Sequence, residues 1–471
     1  MKPTVKPGVM PGALAASLAI VLAASLGGCA ANSPPTPADP QRVLQQADVP
    51  AILPVGAGAP ADTPALAWRD VVRDPRLVAW VDLALQKNRD LRVALLNVQR
   101  AQAQLGLADA NRLPTVGLGL NAARAPNIRG QQANSLSAGL AVTAWEIDLF
   151  GRLASLSDAA RAQLLSSQAG RQAVALALVA SVLQTGLALQ ADDELLDLAR
   201  LALASREQTL KLTQLRESAG AASLLELQAQ QTLTAQGRVA LAQATRQQAQ
   251  DLNALALLLG QPVPAAAAAS PSRLADEAWL TEVPAGLSSA VLLRRPDVIA
   301  AEQTMAAAQA NIAAARAAFW PTISLTAQAG QASAQLSGLF QGGSFAYTLA
   351  ANALLTVFDS GRRQANVDAA QASQQIAQAQ YERAIQSAFR DTADALAGLA
   401  TWRDQLAAQR EQRDAARNTA RLTELKATQG AASALERLDA QRALFAAEQA
   451  VVQVRLAELN NRVLLFKALG G

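Results

Sequence analysis

The sequence predicts an α+β membrane protein in which four strands of bilayer-crossing length are set between very long helices. Three observations predict it. A repeat runs through the chain from about residue 67 to its end. Four segments alternate apolar and polar residues with period two. One stretch in each half continues for about 60 residues without a proline, as a long uninterrupted helix does.

Composition narrows the function classes first. The 471 residues are 51% hydrophobic but only 3% aromatic, and alanine supplies much of the apolar content. That balance suits close helix-on-helix packing rather than a thick globular core. Lys and Arg number 41 against 37 acids, a net +4, without a run of one sign. A nucleic-acid footprint needs basic residues clustered on one face, so no nucleic-acid partner is expected. The chain has no histidine, which removes the commonest general base and metal ligand together. Its one cysteine, Cys29, allows neither an intrachain disulfide nor a thiolate metal site. With no nucleophile–base arrangement in view, no catalytic residue, metal or cofactor is expected beyond covalent lipid.

Residues 1–28 read as a signal peptide. Lys2 and Lys6 give a positive start, and an apolar run from about Ala13 to Leu26 is of signal-peptide length, too short to span a bilayer. Leu26-Gly27-Gly28-Cys29 resembles the bacterial lipobox, in which cleavage precedes a cysteine that is then acylated. Cys29 is read as the lipid attachment; the plainer alternative is a stray cysteine ending an ordinary signal peptide. Ala30, in place of aspartate, implies by the same resemblance sorting to the outer membrane. Residues 29–66, rich in proline, form an extended tether. No later segment reads as a transmembrane helix, so strands must make any crossing.

The repeat divides the rest. Asn88-Arg89-Asp90 through Pro114-Thr115 lines up without gaps on Arg295-Pro296-Asp297 through Pro321-Thr322, an offset of 207 residues. Beyond the strands the offset becomes 210: Gly151-Arg152 falls on Gly361-Arg362, and Gly220-Ala221-Ala222-Ser223 on Gly430-Ala431-Ala432-Ser433. The first repeat covers 67–260, a linker 261–284, and the second repeat 285–471. Each opens with a helix, from about Pro75 to Arg112 or Arg295 to Trp320, stopped by Pro114 or Pro321. Two strands follow, then a long helix from about Ser157 to Ser218 or Arg363 to Thr428, ended by Gly220 or Gly430. A second shorter helix closes each half.

The strands show their faces. Val116, Leu118 and Leu120 alternate with Gly117, Gly119 and Asn121, and Leu136, Ala138, Leu140 and Val142 with Ser137, Gly139, Ala141 and Thr143. Ile323, Leu325 and Ala327 repeat the pattern, and Phe345, Tyr347, Leu349 and Ala351 follow it less cleanly. Loops are expected over residues 126–135 and 334–344. Four strands cannot close a membrane barrel, which needs at least about eight. Two copies would give eight strands, filled by their own side chains; three give twelve and leave a lumen. The long helix, at about 1.5 Å per residue, reaches about 90 Å. A barrel continued by an α-helical coiled-coil barrel explains both features. A soluble sheet with one wet face and an ordinary long coiled-coil dimer are the alternatives.

The chain resembles the TolC superfamily of outer-membrane factors, and within it the NodT-type lipoprotein branch. The resemblance rests on Trp68 with Asp74-Pro75, on Asn88-Arg89-Asp90-Leu91 and on Trp145-Glu146-Ile147-Asp148-Leu149-Phe150-Gly151-Arg152. It continues through Leu293-Arg294-Arg295-Pro296-Asp297, Phe319-Trp320-Pro321-Thr322, Phe358-Asp359-Ser360-Gly361, Leu438-Asp439-Ala440-Gln441-Arg442 and Lys467-Ala468-Leu469-Gly470. It implies a homotrimer with a twelve-strand barrel and a helical periplasmic tunnel. The trimer would be docked by a periplasmic adaptor on an inner-membrane transporter, commonly proton-driven. The implied role is the outer-membrane channel of a tripartite efflux system.

Two sites follow. The turns Gly220, Ala221, Ala222, Ser223 and Gly430, Ala431, Ala432, Ser433 lie where each long helix reverses, and small residues there let an adaptor hairpin approach; a plain cap with a serine N-cap is the simpler account. Beyond them stand Glu226, Glu436 and Asp439, the last two sharing a helix face. In the superfamily, acids at the matching second-half positions form the periplasmic constriction, so these three are the candidate gate, with Arg437 as a counter-charge. Acids favoured by a helix N-terminus are the bland alternative. The rival functions are a duct for a protein-secretion exporter and a non-conducting coiled-coil lipoprotein.

Overall fold

The computed structural model describes residues 40–50, 68–126, 130, 132–264, 274 and 289–471. The signal peptide, Cys29, tether residues 30–39 and 51–66 and most of the linker lie outside them, while tether residues 40–46, expected to be extended, form a helix. Of a unit spanning Met1–Val43, only residues 40–43 are described; they begin helix α1 (Pro40–Gln46). The unit Leu44–Gly471 holds all that follows.

That unit contains α2 (Trp68–Val71), α3 (Pro75–Lys87), α4 (Arg89–Ala110), β1 (Val116–Pro126), β2 (Gln132–Glu146), α5 (Arg152–Ser218) and α6 (Leu224–Leu259). A 3₁₀ turn at Ser289–Arg294 leads into α7 (Pro296–Ala317), β3 (Thr322–Ser333), β4 (Phe345–Leu354), α8 (Arg362–Thr428) and α9 (Ala434–Ala468). Each half therefore runs helix, two strands, long helix, helix. The two long helices have 67 residues each, about 100 Å at the α-helical rise.

The strands form one antiparallel sheet in the order β1-β2-β3-β4, with β1 and β4 at its edges. Its register gathers the apolar positions. Val116, Leu118 and Leu120 face Val142, Leu140 and Ala138; Val142 and Leu140 face Ala327 and Ala329; these face Leu349 and Tyr347. Directly paired residues project to the same side, so one side of the sheet is apolar across all four strands. Leu118, Leu120 and Tyr347 on it are 81%, 80% and 77% exposed in the single chain. The other side carries Gly117, Gly119, Asn121, Ser137, Gln328, Thr326, Thr348 and Asn352. On it the Gln328 amide donates to Ser137 Oγ at 3.0 Å.

At one point two strands leave no room for a side chain. Gly139 pairs with Gly330, and a Cβ on Gly139 would lie 2.3 Å from the Ala329 carbonyl oxygen; one on Gly330 would lie 2.2 Å from that of Ala138. Two facing glycines permit this close backbone approach, a use that strand glycines also serve in barrels. Beneath it a bulge between Val142 and Trp145 turns Trp145 to pair with Leu325 on the apolar side.

The strand-to-helix junctions account for two motifs of the resemblance. Arg152 donates to both oxygens of Glu146, at 2.9 and 2.6 Å, while Asp148 accepts from the Ala154 backbone N–H at 2.7 Å. In the second half Asp359 accepts from the backbone and guanidinium of Arg363, at 3.2 and 2.8 Å. Aromatic rings gather here: Phe150 stacks on Trp320 at 5.3 Å, Arg363 lies over Phe319, and Trp145 donates to the Arg112 carbonyl. Phe340, Phe345 and Tyr347 stand toward the opposite end of the sheet. Apolar bands bounded by aromatic belts are the mark of membrane strands.

The helices continue the strand order. α4 packs on α5, α5 on α7 and α7 on α8; farther from the sheet α6 takes the place of α4 beside α5, and α9 that of α7 beside α8. The shorter helices stack end to end through one contact made twice. Asn88 Nδ2 donates to the Leu258 carbonyl at 2.9 Å, and Arg295 Nη1 to the Ala468 carbonyl at 3.1 Å. Near this level a hydrophobic core cluster forms, with Leu77, Val81 and Ala84 of α3, Val182, Leu183 and Leu187 of α5, Leu255 and Leu259 of α6, and Leu459 and Val463 of α9.

Several boundaries differ from expectation. The first helix is broken at Asn88, whose extended backbone and side-chain bond to the Leu91 N–H start α4 afresh. α5 begins at Arg152 rather than Ser157, because the left-handed Gly151 and the Asp148 cap already organise its first turn. The first hairpin is tighter than residues 126–135, since pairing runs out to Pro126 and Gln132. One helix, α5, does contain a segment long and apolar enough to cross a membrane. Its apolar residues Leu178, Val179, Val182, Leu183 and Leu187 are buried in the core cluster, which is why composition and burial part company there.

Gly330→Val tests this close approach. The added side chain must displace the backbone of β2, an overpacking cost of about 2 kcal/mol. Assembly of purified protein, followed by native mass spectrometry in detergent, is expected to fall sharply while helix content by circular dichroism is retained.

Candidate functional site

The end of the molecule opposite the sheet is where both long helices reverse. α5 finishes in a Schellman motif: Gly220, at φ 71°, donates to the Glu217 carbonyl at 2.9 Å, and Ala221 to that of Arg216 at 2.7 Å. α8 repeats it, with Gly430 at φ 74° donating to Ala427 at 3.1 Å and Ala431 to Lys426 at 2.8 Å. Ser223 and Ser433 then cap α6 and α9 by accepting the N–H of Glu226 and Glu436, at 3.1 and 3.2 Å. The sequence-predicted turns are thus helix caps. They are also exposed, apart from the half-buried Ala222 and Ala432.

The acids are placed less simply. Glu436 reaches back to the Ser433 N–H at 2.7 Å and completes a capping box. The bonds from the Ser433 backbone and hydroxyl hold its carboxyl below the usual range. Asp439 pairs with Arg442 at 3.0 Å. Arg437, expected as the counter-charge of the acids on its own helix, pairs instead with Glu424 of α8 at 3.7 Å, because packing of α9 on α8 turns it across the hairpin. Glu226 sits on the other hairpin, 3.9 Å from Arg216. Glu436 and Asp439 share one helix, and Glu226 belongs to the opposite hairpin.

Sequence reasoning missed the leucines of this end. Leu212, Leu215, Leu224, Leu225 and Leu435 are all more than half exposed, Leu225 at 81%. The signal was a pair of leucines directly after a serine cap, at Leu224-Leu225, a place where a solvated helix start carries polar residues. Between the hairpins α5, α8 and α9 enclose a groove of about 810 Å³. Arg206 lines it, buried, over the Phe445 ring at 5.0 Å; burial, with Arg442 nearby, lowers its pKa. Arg417 and Glu448 close the groove as an ion pair at 3.0 Å. Among the described residues no group of three or more acidic or cysteine side chains is placed to hold a metal ion.

A sheet with one apolar side, aromatic belts and helices of about 100 Å defines an outer-membrane channel subunit. The chain belongs to the outer membrane efflux protein family, whose model matches residues 80–261 and 287–471. It is 40% identical over 410 residues to the solvent efflux pump outer membrane protein SrpC of Pseudomonas putida, covering 86% of this chain and 87% of that one. It is 39% identical over 430 residues to outer membrane protein OprJ of Pseudomonas aeruginosa, covering 88% and 87%. The open-state MtrE outer membrane channel of Neisseria gonorrhoeae superposes with a TM-score of 0.81 at 34% identity, over 90% of this chain and 96% of that one. The chain is the outer-membrane channel component of an efflux system, and its family is not a class of enzymes.

Ser433→Ala removes the hydroxyl that accepts the Glu436 N–H and donates to its carboxylate, leaving only the backbone N–H of residue 433 as a partner. Hydrogen exchange of the first turn of α9 is expected to quicken by roughly fivefold, as loss of a serine N-cap does. Exchange in α7 should stay unchanged.

Proposed function

We propose that three copies of the chain close a twelve-strand barrel in the outer membrane and a helical tunnel in the periplasm, forming the exit duct of a tripartite efflux system for small molecules. The observation that carries this reading is a sheet with one continuous apolar side and two edges left open, at β1 and β4. In hydrocarbon, unpaired edge groups cost several kcal/mol each, so another copy must satisfy them. Joining β4 of one copy to β1 of the next is a head-to-tail contact, which closes as a ring. Twelve strands are the smallest such ring with a water-filled interior. Exposed Val93, Leu96 and Leu107 on the edge helix α4, and Ile376 on the edge helix α8, suit the same joining of copies below the barrel.

Acylation of Cys29 would hold the start of the mature chain at the membrane. The periplasmic tips, with Gly220, Ala221, Ala222, Ser223, Gly430, Ala431, Ala432 and Ser433, would meet a periplasmic adaptor that couples the duct to an inner-membrane transporter, commonly a proton-driven one. Exposed Leu224, Leu225 and Leu435 add the apolar contact that such docking needs. Glu436 and Asp439, brought from three copies toward one axis, would form the resting constriction, with Glu226 on the neighbouring hairpin. Like charges that close raise one another's cost of ionisation, and Arg442, paired with Asp439, supplies counter-charge.

Native mass spectrometry and planar-bilayer recording of the purified lipoprotein test the whole reading. A trimer with steady ion conductance is expected; a non-conducting monomer overturns it. For the constriction, Glu436→Gln with Asp439→Asn keeps hydrogen bonding but removes the charge. Single-channel conductance and cation preference are both expected to change, and an unaltered channel rejects the gate role.

A further inference from the structure

One buried carboxyl is used by neither the membrane sheet nor the periplasmic tip. Asp192 lies on α5 just beyond the core cluster and is only 6% exposed. Its Oδ2 is buried without a hydrogen-bond partner. Across the seam on α6, where Gln248 donates to the adjacent Asp193 at 2.6 Å, stands a second carboxyl, Asp251, whose bond and charge bear on Asp192. Ionised carboxylates only accept hydrogen bonds, so two of them form a bond only if one keeps its proton.

We infer that Asp192 and Asp251 share one proton across the seam between α5 and α6, and that losing it loosens the seam, making this a pH-responsive joint in the wall of the duct. The surroundings support a proton rather than a salt bridge. On α5, Asp193 accepts from Gln248 at 2.6 Å, and Arg200 is engaged with Asp197 at 3.5 Å. From the start of α3, Arg76 is held by Asp74 at 3.3 Å, and Asp74 also accepts from Gln190 at 3.1 Å. On α6, Asp251 accepts from Gln247 at 3.2 Å. Glu194 accepts the Leu274 N–H at 2.5 Å, and Glu448 of α9 is tied to Arg417. No guanidinium or ammonium among the described residues is paired with Asp192. Burial first, then the bond to Asp251 and the charges of Asp251 and Asp193, push its pKa up to about 7.

The sign follows from linkage. Asp192 binds its proton more tightly in the closed seam than its ordinary value of 3.8. The closed seam is therefore most stable below that value and loses stability as pH rises to about 7, beyond which the loss is complete. The joint tightens in acid. This behaviour belongs to one chain's helix pair and does not depend on how copies assemble.

Hydrogen–deuterium exchange of the full-length protein in detergent, corrected for intrinsic rates, tests it on peptides 186–200 and 244–258. Seam opening is expected to rise about tenfold per pH unit between pH ~5 and ~6.5, to level off above ~7.5, to be flat in Asp192→Asn, and in Asp251→Asn to level off at lower pH, because burial alone still raises Asp192 there. A peptide from 300–316 serves as the internal control. Infrared difference spectra of the wild type should show a buried protonated-carboxyl band that fades over the same range and is missing from Asp192→Asn. A pH-independent seam, a slope that survives Asp192→Asn, a profile in Asp251→Asn unshifted from the wild type, or no such band overturns the inference. Should Asp192→Asn fail to fold, Asp251→Asn and the wild-type spectra decide it.

Discussion

Backbone hydrogen bonding in hydrocarbon is the constraint on which the rest of this molecule depends. A four-stranded sheet with an apolar side leaves two rows of N–H and C=O groups unpaired, at β1 and β4, and lipid offers them nothing. Everything nearby serves closure of that sheet. The Gly139–Gly330 pair lets β2 and β3 approach closely, the bulge before Trp145 shifts the register at the base of β2, and two carboxylate–arginine clamps, Glu146–Arg152 and Asp359–Arg363, tie the strand ends to the helices that follow. Strand order and helix order then agree, so the wall begun by the sheet is carried on by α4, α5, α7 and α8.

The duplication explains why a single chain can build so regular a wall, and its divergence shows where the halves do different work. The end-to-end stacking contact is the same in both halves, a side chain donating to a carbonyl at the end of the last helix, yet one half uses Asn88 and the other Arg295. Asparagine serves as the cap of α4 as well, whereas Arg295 precedes Pro296, which starts α7 without needing a donor. α5 lies between neighbours on both sides and is rich in buried positions; α8 lies at the edge and has far fewer. The core is concentrated where α3 fills the angle between α5 and α6.

Much of this was legible in the residues. Period two marked the strands because side chains alternate across a pleated sheet, and even the weakest of them, at Phe345 to Ala351, keeps its apolar residues on the common side. Prolines and glycines marked helix ends for steric reasons that hold in any context. The site was less legible. Glu436 looked like a charge awaiting an axis, but its nearest partners are the hydroxyl and N–H of Ser433. Arg437 stands beside Glu436 in sequence and yet reaches Glu424 on the facing helix. Exposed leucines at the tip were hidden among the many leucines of the helices, since composition carries no record of which face is left uncovered.

Sequence alone determined the repeat, the four strands and their two faces, the reach of the long helices and the need for more than one copy. Each of these follows from local sterics or from a count, and neither changes when the chain folds. Tertiary structure decided the register that unites four apolar stripes, the close approach at Gly139 and Gly330, the choice of partners at the tip and the burial of Asp192 beside α6. Those depend on which residues distant in the chain come within a few ångströms of one another, and periodicity along one segment holds no information about the segment that will face it.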